Sequence, residues 1–370
     1  MKVMVAMSGG VDSTVAAGLM VRAGHEVVGL TMKLRDSTPE ENVHGGSCCS
    51  PDDLMDARMA CHLLGIPHYV VDYRDLFKEK VIEPFANSYL NGKTPNPCVN
   101  CNDHVKFAPL LDRAKALGAD LLVTGHYARL VEENGNFVLH RAVDRNKDQS
   151  YFLFGIPSDA LNMISFPLGG MTKDQVREIG KEMGLNNWNK ADSEDICFVP
   201  SGDYAKVVEE IVGAENVPQP GPIVDVKGRI LGQHEGLHHY TIGQRRGVKI
   251  ATGERVYVVD IKPETRTLVV GTPEQLQVIG LRADDCKWSG DVMPEGMQAV
   301  TAQIRYRHQG SSGQLIAKGQ QAEFFFDLPQ PAVTPGQAVV FYQGDRVVGG
   351  GWIRDALREH EMQSPFSNLS

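Results

Sequence analysis

Strand-like and helix-like hydrophobic periods alternate along the first part of the chain. Residues 2–7 (Lys-Val-Met-Val-Ala-Met) form a short continuous apolar run, the pattern of a strand buried on both faces. Val15, Ala16, Leu19 and Met20 follow at helical spacing, and Gly24 stands where the residue after a helix C-cap belongs. Residues 26–34 predict a second strand. Ser50 as N-cap and Pro51 as first residue predict a helix that ends at Gly65. Residues 68–72 predict a third strand, 76–90 a helix, 106–117 a further helix closed by Gly118, and 120–124 a fourth strand. This alternation predicts an α/β fold with a parallel sheet covered by helices.

The pattern then changes. Asn134-Gly135 between two extended runs predicts a hairpin. Thr172-x-x-Gln175 is a capping box for a helix reaching about Met183. From about Pro218 the helical period fades. Runs at 255–261, 267–270, 299–307, 322–326 and 338–342, separated by Gly, Pro and Asp, predict one or two small β-barrels. The chain divides on this reading into an α/β domain over 1–210, a small central β-rich domain over 211–280, a C-terminal β-barrel over 281–360 and a tail over 361–370.

Composition narrows the class. The chain has 370 residues, 42% hydrophobic and 22% charged, which excludes bulk disorder and leaves room for two to three domains. No apolar run approaches the ~18 residues that span a bilayer, and the start carries no signal-peptide pattern. The expectation is a cytoplasmic protein with no membrane partner. Seven cysteines are too few and too odd for a disulfide scaffold, so Cys98-x-x-Cys101 points to metal or redox chemistry. The net charge of −9 does not suggest a nucleic-acid partner, although local patches decide phosphate binding.

Ser8-Gly9-Gly10-Val11-Asp12-Ser13 lies between the first strand and the first helix. Glycines there let backbone N–H groups approach a phosphate, and the helix N-terminus favours its charge. Ser8 and Ser13 add hydroxyl donors, and Asp12 is a carboxylate that can help hold Mg²⁺. The Gly-Lys-Ser/Thr ending of a Walker A loop is absent. The hexapeptide resembles the PP-loop of the ATP pyrophosphatases, which covers several synthetases and tRNA-modifying enzymes. Farther on, Cys101 stands just before the helix expected from about Val105, where the dipole stabilises a thiolate. Cys197 lies in the non-periodic stretch Asp192-Ser193-Glu194-Asp195-Ile196-Cys197-Phe198-Val199-Pro200. Cys61 reads as core and Cys286 as barrel filler.

Several motifs occur in one order: the PP-loop, Asn96-Pro97-Cys98-Val99-Asn100-Cys101-Asn102, Thr124-Gly125-His126-Tyr127, Asn146-Lys147-Asp148-Gln149-Ser150-Tyr151-Phe152, Asp192 to Phe198, and Gly243-Gln244-Arg245-Arg246-Gly247. Together they resemble the tRNA-specific 2-thiouridylases, over nearly the whole chain. The resemblance implies a PP-loop domain, a central domain and a C-terminal barrel, and ATP-dependent 2-thiolation of the wobble uridine of tRNA. It implies that Ala6, Met7, Ser8, Gly9, Gly10, Val11, Asp12 and Ser13 bind ATP, with Met32 and Gly125 lining the nucleotide pocket, where ligands of open α/β sheets sit. It implies Cys101 as nucleophile and Cys197 as carrier of a persulfide, with a Cys101–Cys197 disulfide left after transfer. A persulfide sulfur-donor protein is then a partner, and Mg²⁺ accompanies ATP.

The family commonly has Asn-Pro-Asp where this chain has Asn96-Pro97-Cys98, which leaves the role of Cys98 open. Cys98, Cys101 and Cys197 are also a ligand set for an iron–sulfur cluster or a metal with one open position. A PP-loop amide-forming synthetase, which needs no cysteine pair, is the other alternative. For RNA contact, six basic residues face three acidic ones between Tyr240 and Leu268, a local excess of +3. Arg305, Tyr306 and Arg307 read as one strand, with the arginines on one face. The resemblance adds Asn96, Pro97, Cys98, His126, Lys147, Asp148, Gln149, Arg305, Tyr306 and Gln343 as tRNA contacts. The irregular stretch from Asp192 to Pro200 is expected to be mobile before tRNA binds.

Overall fold

The computed structural model describes residues 1–36, 51–190, 196–199, 202–250 and 253–359. Cys48, Cys49, Ser50, the residues 191–195, 200 and 201, and the tail from 360 lie outside the described residues.

Strand β1 (Lys2–Ala6) is central in a five-stranded parallel sheet. It pairs with β2 (Glu26–Lys33) on one side and β4 (Leu121–Val123) on the other, and β3 (His68–Asp72) lies beyond β2. Alternate residues of β1 serve two cores. Met4 joins Leu30, Leu110 and Leu122 on one face, while Val3 and Val5 join Val15, Ala16 and Ala57 on the other. Helix α1 (Val11–Arg22) follows β1, and Gly24 at φ 79° ends it in the left-handed conformation. Helix α2 (Pro51–Leu63) leads to β3.

Two helical paths carry π-helical turns. Helix α3 (Arg74–Phe77) runs through a π turn (Lys78–Ile82) into α4 (Glu83–Leu90). Helix α5 (Pro97–Asn100) runs through a π turn (Cys101–Phe107) into α6 (Ala108–Ala116). Each π turn lies just ahead of a proline, Pro84 or Pro109. A proline cannot donate to the carbonyl four residues back and its ring crowds that carbonyl, and a widened turn relieves both. The second path corrects the sequence expectation. Helix begins at Pro97, not near Val105, because Pro97 at the first position presets φ while Pro109 interrupts the apparent pattern.

The expected hairpin forms from β5 (Arg129–Glu133) and β6 (Asn136–His140), with Asn134 at φ 51° and Gly135 at φ 80° as a two-residue turn. Strand β7 (Ile164–Ser165) completes the parallel sheet beside β4. Helix α7 (Lys173–Glu182) carries the Thr172–Gln175 capping box in full, and α8 (Tyr204–Val212) follows.

A second sheet has the order β10-β11-β8-β9, from β8 (Gly221–Asp225), β9 (Ile230–His234), β10 (Tyr257–Lys262) and β11 (Thr267–Gly271). The last six strands are β12 (Gln277–Trp288), β13 (Met297–Gln303), β14 (Ser311–Lys318), β15 (Gln321–Pro331), β16 (Ala338–Gln343) and β17 (Arg346–Leu357). They form an antiparallel barrel closed by the β12–β17 pairing. Strand β13 stops at Gln303, which corrects the reading of Arg305, Tyr306 and Arg307 as one strand. The Gln303 side-chain amide donates to the Tyr306 carbonyl at 2.7 Å and His308 N–H donates to the Arg305 carbonyl at 3.0 Å, so these residues form a turn.

The barrel sits against the first domain. Ala338, Val340, Tyr342 and Val347 share a core with Leu110, Leu139 and Tyr151. Gln337 donates to the Thr94 and Pro95 carbonyls, Lys287 pairs with Asp103 at 2.9 Å, and β17 meets β6 at Arg346 and His140. Among the described residues, no helix is long and apolar enough to cross a membrane.

Candidate active site

The glycine loop is a closed polar turn at the carboxyl end of β1. Met7 is buried and donates its N–H to the Leu30 carbonyl at 2.8 Å. Gly9 has φ +80°, and a Cβ there would run into the Asp53 carbonyl. Gly10 caps α1 without a side-chain bond, so the helix keeps its first N–H groups for a ligand. Ser13 is buried and staples the loop: its Oγ accepts from Ser8 N–H at 3.1 Å and donates to the Gly10 carbonyl at 3.1 Å. Asn187 Nδ2 donates to the Gly9 carbonyl at 2.9 Å. Gly125, just beyond β4, passes so close that a Cβ would lie 2.7 Å from the backbone between Asp12 and Ser13. The predicted loop residues and Gly125 are thus brought together.

Asp12 is the charged centre of this end. Lys173 Nζ donates to both of its oxygens at 2.8 Å and Tyr127 Oη donates to Oδ1 at 2.8 Å. Lys173 is only 5% exposed. Sequence reasoning missed it, although a signal was present. A lysine at the first position of a helix opposes the dipole, so it calls for a compensating anion.

The second end is apolar. Cys101 is buried in a cluster with Phe77, Phe85, Val105 and Phe198, and half-buried Cys197 and Met32 pack against the same cluster. Cys197 lies in a turn closed by Val199 N–H to the Ile196 carbonyl at 2.8 Å. Phe198 anchors that turn edge-on against Phe77 and Phe85, with centroids 5.9 and 5.0 Å away. Residues 101 and 197 therefore belong to the same apolar cluster, which also takes in Met32 from β2. The helix start at Pro97 changes one detail. Cys98 is the second residue of that helix, whereas Cys101 lies one turn in, so the expected dipole effect falls on Cys98. Among the described residues the cysteines form no disulfide. Burial pushes the Cys61 thiol up to about 11 and the Cys286 thiol up to about 12, which keeps both protonated and inert.

A third group gathers at Tyr151. Its hydroxyl donates to the Ala338 carbonyl at 2.9 Å, and Asn96 also bonds to this side chain. Burial pushes the Tyr151 phenol up, with Arg305 pulling the other way and Cys98 adding to the rise. Tyr306 packs on Phe152 with ring centroids 4.4 Å apart, and Asn102 Nδ2 donates to the Phe152 carbonyl at 3.2 Å. Asn96, Pro97, Cys98, Arg305 and Tyr306 therefore belong to one neighbourhood.

The remaining residues of the expected RNA set differ. Asp148 is buried and accepts from Arg141, Ala142 N–H, Ser150 N–H and Ser150 Oγ, so it builds the scaffold. Gln149 Oε1 accepts from Tyr127 N–H at 2.9 Å, and half-buried Lys147 lies two residues earlier. His126 contacts Thr124 Oγ1 at 2.7 Å and lies between Phe107 and Phe166; burial pushes its imidazole down to about 3, so it is neutral at pH 7. Gln343 is exposed at the end of β16, next to Tyr342, whose ring lies 3.4 Å below the Arg141 guanidinium.

Family models match three successive parts of the chain: a tRNA methyl transferase HUP domain over 1–201, a tRNA methyl transferase PRC-barrel domain over 207–272 and an aminomethyltransferase beta-barrel domain over 278–353. The tRNA-specific 2-thiouridylase MnmA of Geobacter metallireducens is 47% identical over 365 residues, covering 97% of this chain and 98% of that one. This chain belongs to the tRNA-specific 2-thiouridylase family. The Carboxydothermus hydrogenoformans member is 47% identical over 363 residues, covering 96% of this chain and 98% of its own. A 4-thiouridine synthetase–RNA complex with bound ATP gives a TM-score of 0.34 at 17% identity, covering 57% of this chain and 50% of that one.

Proposed function

We propose that this chain uses ATP to put sulfur on carbon 2 of the wobble uridine of tRNA. The observation that supports the reading is that one apolar cluster takes in Cys101, Cys197 and Met32, at the end of the sheet where the glycine loop turns. A methyl transfer, which the description of the family models suggests, has no use for such a thiol pair.

The parts divide the chemistry. The loop from Ala6 to Ser13 and the first N–H groups of α1 hold the phosphates, with Met32 and Gly125 as walls. The C2 oxygen of uracil is a poor leaving group. Attack of that oxygen on the α-phosphorus of ATP makes it an adenylate and releases pyrophosphate. A donor protein loads Cys197 with a persulfide. Cys101 attacks the inner sulfur, the Cys101–Cys197 disulfide forms, and the released hydrosulfide displaces AMP from carbon 2. An external dithiol then reduces the disulfide, becoming a disulfide itself, and restores both thiols. Attack by the persulfide on carbon 2, followed by Cys101, gives the same products. Asp12 is the loop carboxylate that would help hold Mg²⁺, which would neutralise charge on the phosphates. The turn at Arg305 and Tyr306, with Asn96 to Cys98, His126, Lys147, Gln149 and Gln343, faces the RNA, and Asp148 supports it from within.

The test is pyrophosphate release from ATP with and without unmodified tRNA, together with 2-thiouridine formation from a persulfide-loaded donor. Cys101→Ser and Cys197→Ser are each expected to lower thiolation by more than about 10³-fold and to keep tRNA-stimulated pyrophosphate release. Release that ignores tRNA overturns the reading. Full activity of both serine variants points instead to an amide-forming synthetase, and iron retained by the three cysteines after anaerobic purification points to a cluster.

A further inference from the structure

Helix α8 brings Glu209 against a histidine pair that no motif above includes. Glu209 Oε1 lies 2.9 Å from His238 Nε2 and 3.6 Å from His239 Nε2, and the three donor atoms all lie within 4.8 Å of one another. The two histidines sit on a short 3₁₀ turn (Leu237–His239) leading out of the second sheet, with ring centroids 4.1 Å apart. The backbone of the pair is fixed from two sides. Tyr204 Oη donates to the His239 carbonyl at 3.4 Å, and the side-chain amide of Gln244, from the Gly243–Gly247 motif, donates to it at 3.3 Å.

From this geometry we propose a divalent transition-metal site, with zinc as its ion, held by Glu209, His238 and His239 between α8 and the central domain. Two imidazoles and one carboxylate are a zinc donor set, whereas Mg²⁺ takes oxygen ligands and keeps its waters. Bonds of about 2.0–2.1 Å at tetrahedral angles bring donor atoms to roughly 3.3 Å, so the present spacing needs only small side-chain movements. His238 is fully buried, which fixes one ligand, while Glu209 and His239 are 38% and 35% exposed. The ion therefore has an entry path and a solvent-facing fourth position for water. Binding through Nε2 requires a proton rearrangement in His238. Its Nε2 proton, now directed at Glu209, moves to Nδ1, which is buried without a partner. That nitrogen and the Pro218 carbonyl both border Gly236: a Cβ there would lie 2.7 Å from the one and 2.9 Å from the other.

The site has a structural purpose. Val208, next to Glu209 on α8, packs in the cluster that holds Cys101 and Cys197. An ion at Glu209 thus fastens the helix that backs the thiols to the central sheet. The proposal stands whether or not the thiols transfer sulfur.

Zinc binding to the full chain tests it, by titration against a chromophoric chelator. Cys98, Cys101 and Cys197 are changed to serine throughout, because thiolates also bind zinc. The expected result is one equivalent of zinc that is lost, or bound at least about 10-fold more weakly, when His239→Ala or Glu209→Gln is added. Both added changes are at half-exposed positions and spare the buried His238, and thermal melting without metal checks that each variant folds. Zinc should raise the melting temperature of the parent and leave that of the two variants unmoved. Equal stoichiometry and affinity in parent and variants overturns the proposal, as does a parent that binds no zinc at these residues.

Discussion

The two ends of the site are built in opposite ways. At the glycine loop the Asp12 and Ser13 side chains and the Gly9 and Gly10 carbonyls are already tied. Ser13 holds Ser8 and Gly10, Asn187 holds Gly9, and Lys173 and Tyr127 hold Asp12. Around the cysteines the described residues pack rings and aliphatic chains together, and Phe198 seats the Cys197 turn against two phenylalanines. A phosphate site gains from fixed dipoles, because donors that need no rearrangement stabilise charge at little reorganisation cost. A sulfur-transfer site must let a persulfide in, bring two thiols together and part them again. Non-directional apolar packing permits such movement more readily than a saturated hydrogen-bond network.

The contrast can be broken at either end. Lys173→Met leaves Asp12 without its cation, and tRNA-stimulated pyrophosphate release should fall by about 10²-fold; release equal to the parent's would mean that the polar end does not depend on that pair. Phe198→Ala should cost about 3 kcal/mol by denaturant unfolding. It should also lower thiolation more than pyrophosphate release, and an equal loss of both would remove the division of labour. Tyr306→Ala should weaken tRNA binding by about 10-fold in a filter or fluorescence assay, in the range of one lost base stack. The smallest effect is expected from alkylation at pH 8 of the native protein. Cys61 and Cys286, whose pKa values lie at about 11 and about 12, remain protonated there and should stay unmodified until the chain is unfolded.

Much of the polar end was legible because its signals are local. A glycine pair between a strand and a helix, a capping box and an Asn-Gly turn each determine geometry within a few residues. The shared cluster at the cysteine end was legible only through the order of motifs, since nothing local to Cys197 says that it packs against the cluster of Cys101. The helix at Pro97 was misread because Pro109 hides the continuity that a π turn restores. The strand expected through Arg307 failed because a side-chain amide, Gln303, closes a turn there, a bond that periodicity does not report. Strand β17 escaped notice for a related reason. Its run Gly349-Gly350-Gly351 looks like a loop, yet a Cβ at these positions would meet Trp288, Phe154 and Cys286. The glycines are there because large side chains from other elements occupy the space. Glu209 and the two histidines are likewise 29 and 30 residues apart, with no spacing to advertise them.

The hairpin formed by β5 and β6 belongs to the first domain by chain order and to the barrel by pairing. Cutting the polypeptide after residue 277 would therefore not yield an intact catalytic half. It would uncover Leu139 and Tyr151, strip the partners from a hairpin edge, and leave behind a fragment prone to stick to its own kind. Nature's three-part chain, in this respect, is a pair of interlocked pieces with a smaller one attached.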